Sequence, residues 1–351
     1  MSYITKPRVR HPALPRNALG LTPRDYEGSM STLCAGCGHD SITAAIIQAV
    51  FDLNIAPHTL AKLSGIGCSS KTPFYFVSQA HGFNAVHGRM PAIATGAIAA
   101  NRNLIYLGVS GDGDSLSIGL GHLCQAIRRN IDMLYIIENN GVYGLTKGQF
   151  SASADIGTRS KRGEINRQPP IDPVLLGLTL GATFVARGFS GDKEQLVPIL
   201  KAGLQHRGLA IVDVISPCVA FNDHEGSTKS YAYTREHAEP AVVTDFIPIA
   251  SEITTRYEPG TLREVRLHDG GMVRFRKVPN GYDPTDREAV ESWIREYASR
   301  KEVVTGLLYL DPDSSDLHET LGTVDTPLAS LPFDELCPGS VEMEKLMESF
   351  R

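Results

Sequence analysis

Short, near-continuous apolar runs recur along this chain, at residues 60–63, 104–109, 133–137, 183–186 and 209–215. Such runs, without alternation, predict strands buried on both faces, as in a parallel sheet. Segments of helical period separate them, at residues 41–52, 117–129, 173–180 and 193–205. Strand and helix in alternation predict an α/β fold, a mostly parallel sheet with helices on both faces. Asp40 reads as the N-cap of the first helix, and Gly191-Asp192 as the cap of the last. The small residues of 90–99 predict a further helix packed closely on the sheet.

From Phe221 the pattern becomes irregular. A hairpin-like pair at 262–267 and 271–277, around His268-Asp269-Gly270, precedes a helix at 286–300 and a strand at 303–310. The chain thus divides into an N-terminal arm at 1–30, an α/β domain at 31–235, and an irregular C-terminal extension at 236–351. The arm and the acidic, Pro-containing end of the extension both suit wrapping a partner subunit. The polar stretch 147–170 reads as a mobile loop near the site.

Composition excludes more than it selects. With 351 residues, 42% of them hydrophobic and 21% charged, the chain can bury a sizeable core. A net charge of −5 offers no basic face to nucleic acid. No apolar run approaches the roughly 20 residues of a membrane span. The basic start lacks the apolar core of a secretory signal. The expectation is a cytoplasmic protein with no nucleic-acid and no membrane partner. Its six cysteines then predict metal ligands or core thiols rather than disulfides.

The candidate chemistry gathers in residues 111–146. Gly111-Asp112-Gly113 follows one apolar strand, and Asn139-Asn140 follows the next. The two form one βαβ unit with polar groups at the carboxyl ends of parallel strands, where open α/β sheets bind ligands. Glycines admit a diphosphate close to the backbone, and a helix start favours the anion. Asp112 brings a hard carboxylate and Asn140 a carbonyl oxygen, the ligand types that magnesium takes. The GDG-to-NN spacing resembles the motif of thiamine diphosphate enzymes. That resemblance implies that Asp112, Asn140 and the main-chain carbonyl of Val142 hold the magnesium ion. His87 and Arg89 stand before the start of the 90–99 helix, where a diphosphate would be neutralised.

Cys34-Ala35-Gly36-Cys37, ahead of a helix, has three readings: a redox dithiol, half of a zinc site, or half of an iron–sulfur site. No strand is evident before Cys34, as a thioredoxin-like motif would have, and no second such pair completes a zinc knuckle. Cys68 lies just past 60–63 and Cys218 just past 209–215, at the strand ends that also carry GDG and NN. On that geometry all four thiols can meet beside a diphosphate. Cys124 lies on an apolar run with Leu120 and Leu123 and reads as core, while Cys337 has no ligand context. His224 and Glu225 read as part of a solvated turn.

Six segments occur in one order over residues 33–231: CAGCGH, SGIGCSSK, HGRMPAIATG, GDGDSLSIG, NNGVYGLTKGQ and SPC…FNDHEGSTKSY. The set resembles the β subunit of 2-oxoacid:ferredoxin oxidoreductases. It looks closest to the 2-oxoglutarate type, to which the 267–289 stretch is also similar. The resemblance implies a thiamine diphosphate-binding fold with a [4Fe–4S] cluster on Cys34, Cys37, Cys68 and Cys218. It implies cofactor contacts from Ile66, Gly67, Cys68, Ser69, His87, Gly111, Asp112, Gly113, Asp114, Ser115, Asn140, Val142, Tyr143, Gly144, Leu145 and Thr146. Lys71, Leu145 and Thr146 would lie nearest the reacting atoms or the diphosphate. The implied reaction is the coenzyme A-dependent oxidative decarboxylation of 2-oxoglutarate to succinyl-CoA and carbon dioxide, with electrons passed to ferredoxin, and its reverse. The implied partners are an α subunit carrying the pyrimidine-binding domain and ferredoxin, in a dimer of αβ heterodimers. Pyruvate or broad 2-oxoacid specificity stays open. So does a non-redox thiamine-dependent decarboxylase with structural zinc.

Overall fold

The computed structural model describes residues 11–160, 163–220, 255–266, 272–279, 282–300, 302–337 and 339–351. In chain order its first elements are α1 (Gly38–Asp52), β1 (Leu60–Ser64), β2 (His81–Asn84), α2 (Met90–Ala100), β3 (Ile105–Gly111), α3 (Leu120–Arg129) and β4 (Met133–Asn139). The short β5 (Val142–Tyr143) and β6 (Gln149–Phe150) pair with each other. Then come α4 (Pro173–Thr179), β7 (Phe184–Phe189), α5 (Lys193–Gln205) and β8 (Leu209–Ile215). Strands β9 (Leu262–Arg266), β10 (Met272–Lys277) and β11 (Glu302–Leu310) complete the order. The nine-stranded sheet runs β2-β1-β3-β4-β8-β7-β11-β10-β9. Its first six strands are mutually parallel.

The apolar runs explain this layering. β4 and β8 are buried almost throughout and hydrogen-bond in register from Met133↔Leu209 to Asn139↔Ile215. One apolar cluster packs α2, α3 and α4 on one face of the sheet, through Met90, Ile98, Leu123, Ile127 and Val174. A second packs α1 and α5 on the other, through Ile42, Ile46, Leu196 and Leu200. Helix starts follow their caps: Asp172 accepts from the Val174 and Leu175 amides, and Asp192 from the Gln195 amide. Helix α1 begins earlier than expected, at Gly38, with Cys37 as N-cap. Asp40 therefore sits in the first turn, where it favours the positive end of the helix dipole instead of capping it.

Parts of both ends of the chain join the folded unit. In the N-terminal arm Asn17 donates to the Tyr26 hydroxyl at 2.8 Å and to the Phe51 carbonyl at 3.3 Å. Tyr26 is fully buried, meets Phe51 edge-on at 6.0 Å, and donates its hydroxyl to the Ile55 carbonyl at 2.9 Å. The C-terminal region begins by extending the sheet. β11 pairs antiparallel with β7, β10 parallel with β11, and β9 antiparallel with β10. The helix Arg287–Ser299 inserts Val290 and Ile294 into the first apolar cluster. Past the helix Leu317–Leu321 the character changes. The helix Gly339–Glu348 buries no residue, and Phe333, Val341 and Phe350 are all exposed. His224, Glu225 and the turn at 268–270 lie outside the described residues. No helix among the described residues is long and apolar enough to cross a membrane.

Candidate active site

Four neighbouring parallel strands, β1, β3, β4 and β8, end at one sheet edge. Each releases part of a candidate motif there: Gly65 to Cys68 after β1, Asp112 after β3, Asn140 after β4, and Ser216-Pro217-Cys218 after β8. A cavity of about 300 Å³ opens between them, at the lower end of the roughly 300–1,000 Å³ of ligand pockets. Of the sequence-expected residues, Ile66, Gly67, Cys68, Ser69, His87, Gly111, Asp112, Gly113, Asp114, Asn140, Val142, Tyr143, Gly144, Leu145 and Thr146 line it. Lys71 lies in the short helix Ser69–Phe74, outside the lining; burial raises the Cys68 thiol pKa, and the Lys71 ammonium works against that rise. The Ser115 hydroxyl turns away into the core, 3.0 Å from the Tyr135 hydroxyl.

Asp112 is buried, and burial raises its carboxyl pKa against the hydroxyls of Ser151 and Ser153. Its Oδ2 accepts from the Ser151 hydroxyl, from Ser153 Oγ at 2.5 Å and from the Gly141 amide at 2.9 Å. The stretch expected as a mobile loop is thus hydrogen-bonded to the site. Asn166 ties its far end down, donating to the carbonyls of Ala154, Asp155 and Gln168. The two asparagines split their work. Asn140 faces the cavity and accepts the Val142 amide at 3.1 Å. Asn139 turns inward, accepting from Ser153 Oγ at 2.9 Å and donating to Asp213 Oδ1 at 3.0 Å. Arg187 then pairs with Asp213 at 2.7 Å and Asp172 at 2.5 Å.

Asp114 is also buried and is spent on the backbone. It accepts from the Gly88 amide at 2.7 Å and Ser110 Oγ at 2.8 Å, which fixes the loop carrying His87. Gly65 lies against that carboxylate, and a Cβ there would collide with it. A Cβ at Gly113 would strike the Tyr143 ring, whose hydroxyl donates to the Gly113 carbonyl at 3.0 Å. These close approaches require glycine and leave backbone amides accessible to an anion.

Sequence reasoning missed His39, Ile118, Glu138 and Gln149 in the lining, and Ser151 and Ser153 behind Asp112. His39 and Glu138 are wholly buried and 3.4 Å apart. Burial lowers the His39 pKa to about 4 and raises that of Glu138 well above the carboxylate range. A carboxyl group at the end of the apolar run 133–137 was the signal for Glu138.

The cysteine segments reach the same edge. None of the six cysteines is in a disulfide. Burial raises the thiols of Cys37 and Cys68; Cys218 raises Cys37 further, and Cys34 raises Cys68. Within each of these two pairs the thiols thus lie within electrostatic reach of each other. Among the described residues, no three His, Cys, Asp or Glu side chains converge in a metal-holding arrangement. The donor chemistry nonetheless fits an iron–sulfur cluster, and the Ser70 hydroxyl, two residues past Cys68, is buried without a hydrogen-bond partner. Cys124 is half-buried on α3, beside the buried Leu123, and Cys337 is exposed in the tail.

Residues 65–214 match the family described as thiamine pyrophosphate enzyme, C-terminal TPP binding domain. The "2-oxoacid:ferredoxin oxidoreductase subunit beta" of Saccharolobus solfataricus is 43% identical over 199 residues, which are 56% of this chain and 65% of that one. The "2-oxoglutarate synthase subunit KorB" of Methanocaldococcus jannaschii is 36% identical over 191 residues, 54% of this chain and 69% of that one. The chain belongs to the 2-oxoacid:ferredoxin oxidoreductase β-subunit family. Its match spans just under two thirds of the S. solfataricus subunit. Among solved structures, a 2-oxoglutarate:ferredoxin oxidoreductase from Magnetococcus marinus, with 2-oxoglutarate, coenzyme A and succinyl-CoA bound, aligns with a TM-score of 0.70 and 27% identity. That alignment covers 97% of this chain and 99% of the other. In this family member the TPP-binding match runs from Gly65 to Val214, within β8, and so encloses the motif segments that follow β1, β3 and β4.

Proposed function

We propose that this chain is the cofactor-holding β subunit of an enzyme that oxidatively decarboxylates 2-oxoglutarate with coenzyme A, giving succinyl-CoA and carbon dioxide, and that runs in reverse as a reductive carboxylase. The carrying observation is that one sheet edge gathers the GDG and NN strand ends around a cavity, with Cys68 in its lining. Thiamine diphosphate supplies the electron sink for such a decarboxylation, and an iron–sulfur cluster the route for electrons to ferredoxin.

The residues divide the work. Asp112, Asn140 and the Val142 carbonyl would hold magnesium, with Asp112 oriented by Ser151, Ser153 and the Gly141 amide. The backbone of Gly67, Gly111 and Gly113, with Ser69 and His87, would bind the diphosphate. Asp114 supports the His87 loop from behind. Cys34, Cys37, Cys68 and Cys218 would carry a [4Fe–4S] cluster. Lys71, Leu145 and Thr146 would lie nearest the reacting atoms or the diphosphate; Leu145 and Thr146 line the cavity, and Leu145 is half-exposed.

The described residues contain one diphosphate-type α/β unit and no second one for the aminopyrimidine ring. An α subunit carrying that domain completes the reading, in a dimer of αβ heterodimers. The preference for 2-oxoglutarate follows the names of the M. marinus and M. jannaschii relatives. Broad 2-oxoacid use is the second reading, favoured by the more similar S. solfataricus subunit, which is named for 2-oxoacids generally.

Anaerobic assay of this chain with its α partner, coenzyme A, a low-potential acceptor and a panel of 2-oxoacids tests the reading. Turnover fastest on 2-oxoglutarate is expected, with none from this chain alone. Comparable turnover by this chain alone would overturn the two-subunit reading. Zinc in place of iron would overturn the redox reading.

A further inference from the structure

Glu138 belongs to none of the motifs above, yet it sits where they meet. It is the sixth of the seven residues of β4 and is fully buried. Thr72 Oγ1 donates to its two carboxyl oxygens at 3.2 and 3.0 Å. Its Oε2 lies 3.4 Å from His39 Nδ1. The same His39 nitrogen is 2.8 Å from Ser216 Oγ, and the other ring nitrogen is 3.5 Å from Asn140 Nδ2.

The partners of this string are placed pointedly. Thr72 lies four residues past Cys68 in the short helix that Cys68 caps. His39 lies two residues past Cys37 in the first turn of α1, where Cys37 is the N-cap. Ser216 lies two residues before Cys218, at the end of β8. Gly38 packs so tightly on Ser190 and Ser216 that a Cβ would overlap both hydroxyls, so the first and last cysteine segments are in direct contact. One buried carboxyl group thereby links every segment that carries a candidate cluster ligand, and through His39 it reaches Asn140.

A buried carboxyl group costs free energy relative to an apolar side chain of the same volume, unless its hydrogen bonds are made. Leucine or methionine would pack the end of β4 at less cost. What an apolar residue lacks is direction: the hydrogen bonds from Thr72, the contact with His39 and the His39–Ser216 bond favour one arrangement of the segments they join.

We propose that Glu138 and His39 form a buried clasp that sets the three cysteine-bearing segments in register with one another and with Asn140, so that one network positions both the cluster ligands and a magnesium ligand. Glu138 is a positioning residue: it acts through Thr72 and His39. The proposal rests on the cluster and thiamine diphosphate assignments made above.

The test uses the full chain, purified anaerobically, with wild type, Glu138→Gln and Glu138→Leu side by side. The readouts are iron and sulfide content, the EPR spectrum of the reduced cluster, and calorimetric affinity for thiamine diphosphate with magnesium. Glu138→Gln keeps an acceptor for Thr72 and should match wild type in all three. Glu138→Leu should alter the EPR line shape, lose about half or more of the iron, and weaken cofactor binding about tenfold, at the low end for loss of an outer-shell partner. If Glu138→Leu does not fold, Thr72→Val carries the test, since it removes a single donor and keeps the shape; an altered EPR line shape is expected. Wild-type iron, spectrum and affinity in the folded apolar variant would overturn the clasp. So would a Glu138→Gln protein as damaged as Glu138→Leu, because hydrogen-bond geometry would then not be the property that matters. A wild-type chain with no iron would sink the cluster assignment and the clasp with it, an outcome the control separates from failure of the clasp alone.

Discussion

Asp112 and the four cysteines stand at one sheet edge but are held in opposite ways. Three donors from this chain fix the Asp112 carboxylate: two serine hydroxyls and an amide. Behind it the chain of contacts continues through Ser153, Asn139 and Asp213 to Arg187. The thiols are brought near one another by their segments but do not converge. A hard cation with strict octahedral demands gains from ligands oriented beforehand. A cluster whose bonds to thiolate are strong can draw its ligands together, so the protein need only deliver the segments. The edge therefore has a preorganised end and an end organised by what binds there.

The largest effect expected is at the preorganised end. Asp112→Ala should abolish magnesium-dependent binding of thiamine diphosphate while iron content stays intact. Calorimetry showing near-native affinity would erase the distinction between the two ends. The mirror experiment is Cys218→Ser, which should strip most of the iron and change the reduced-state EPR spectrum while cofactor affinity holds. Cys124→Ser, on α3, should leave the iron unchanged. Full iron content in Cys218→Ser would remove it from the ligand set.

Arg187 offers a smaller cut from behind. Arg187→Met leaves the buried Asp213 and the partly exposed Asp172 without their cation, and stranding the buried carboxylate costs on the order of 3 kcal/mol of stability. Urea unfolding should show that loss, and cofactor affinity should fall more than iron content. Equal losses of both would mean that the support is common to the whole edge. The mildest change is Ser151→Ala with Ser153→Ala. Removing the hydroxyls that orient a metal ligand should weaken magnesium binding about 10–100-fold. Titration with manganese followed by EPR would report this directly, and an unchanged affinity would show that the Gly141 amide alone is enough.

Strand and helix positions were legible wherever burial was uniform. The bounds of α5 and β8 fall where the apolar pattern places them. The start of α1 was misplaced because aspartate suits both an N-cap and a first turn. Ser151 and Ser153 were invisible for a different reason. Serines in a polar stretch have no periodicity, and only the fold shows that their hydroxyls meet Asp112. His39 and Glu138 carried a weak signal, as ionisable residues beside buried elements. Their contact joins positions 99 residues apart, a relation that no local pattern contains. In the arm, Pro and Arg content hid one informative residue, Tyr26, whose ring completes the core beside α1.

The exposed end of the chain has a consequence for how the protein must be made. Ten large apolar side chains lie open between Leu321 and Phe350. Until a partner surface covers them, that segment resembles what chaperones and proteases recognise in an unfinished protein. Under the two-subunit reading, this chain made in excess of its partner is expected to be shorter-lived than the complex, which a pulse-chase with and without the partner would measure.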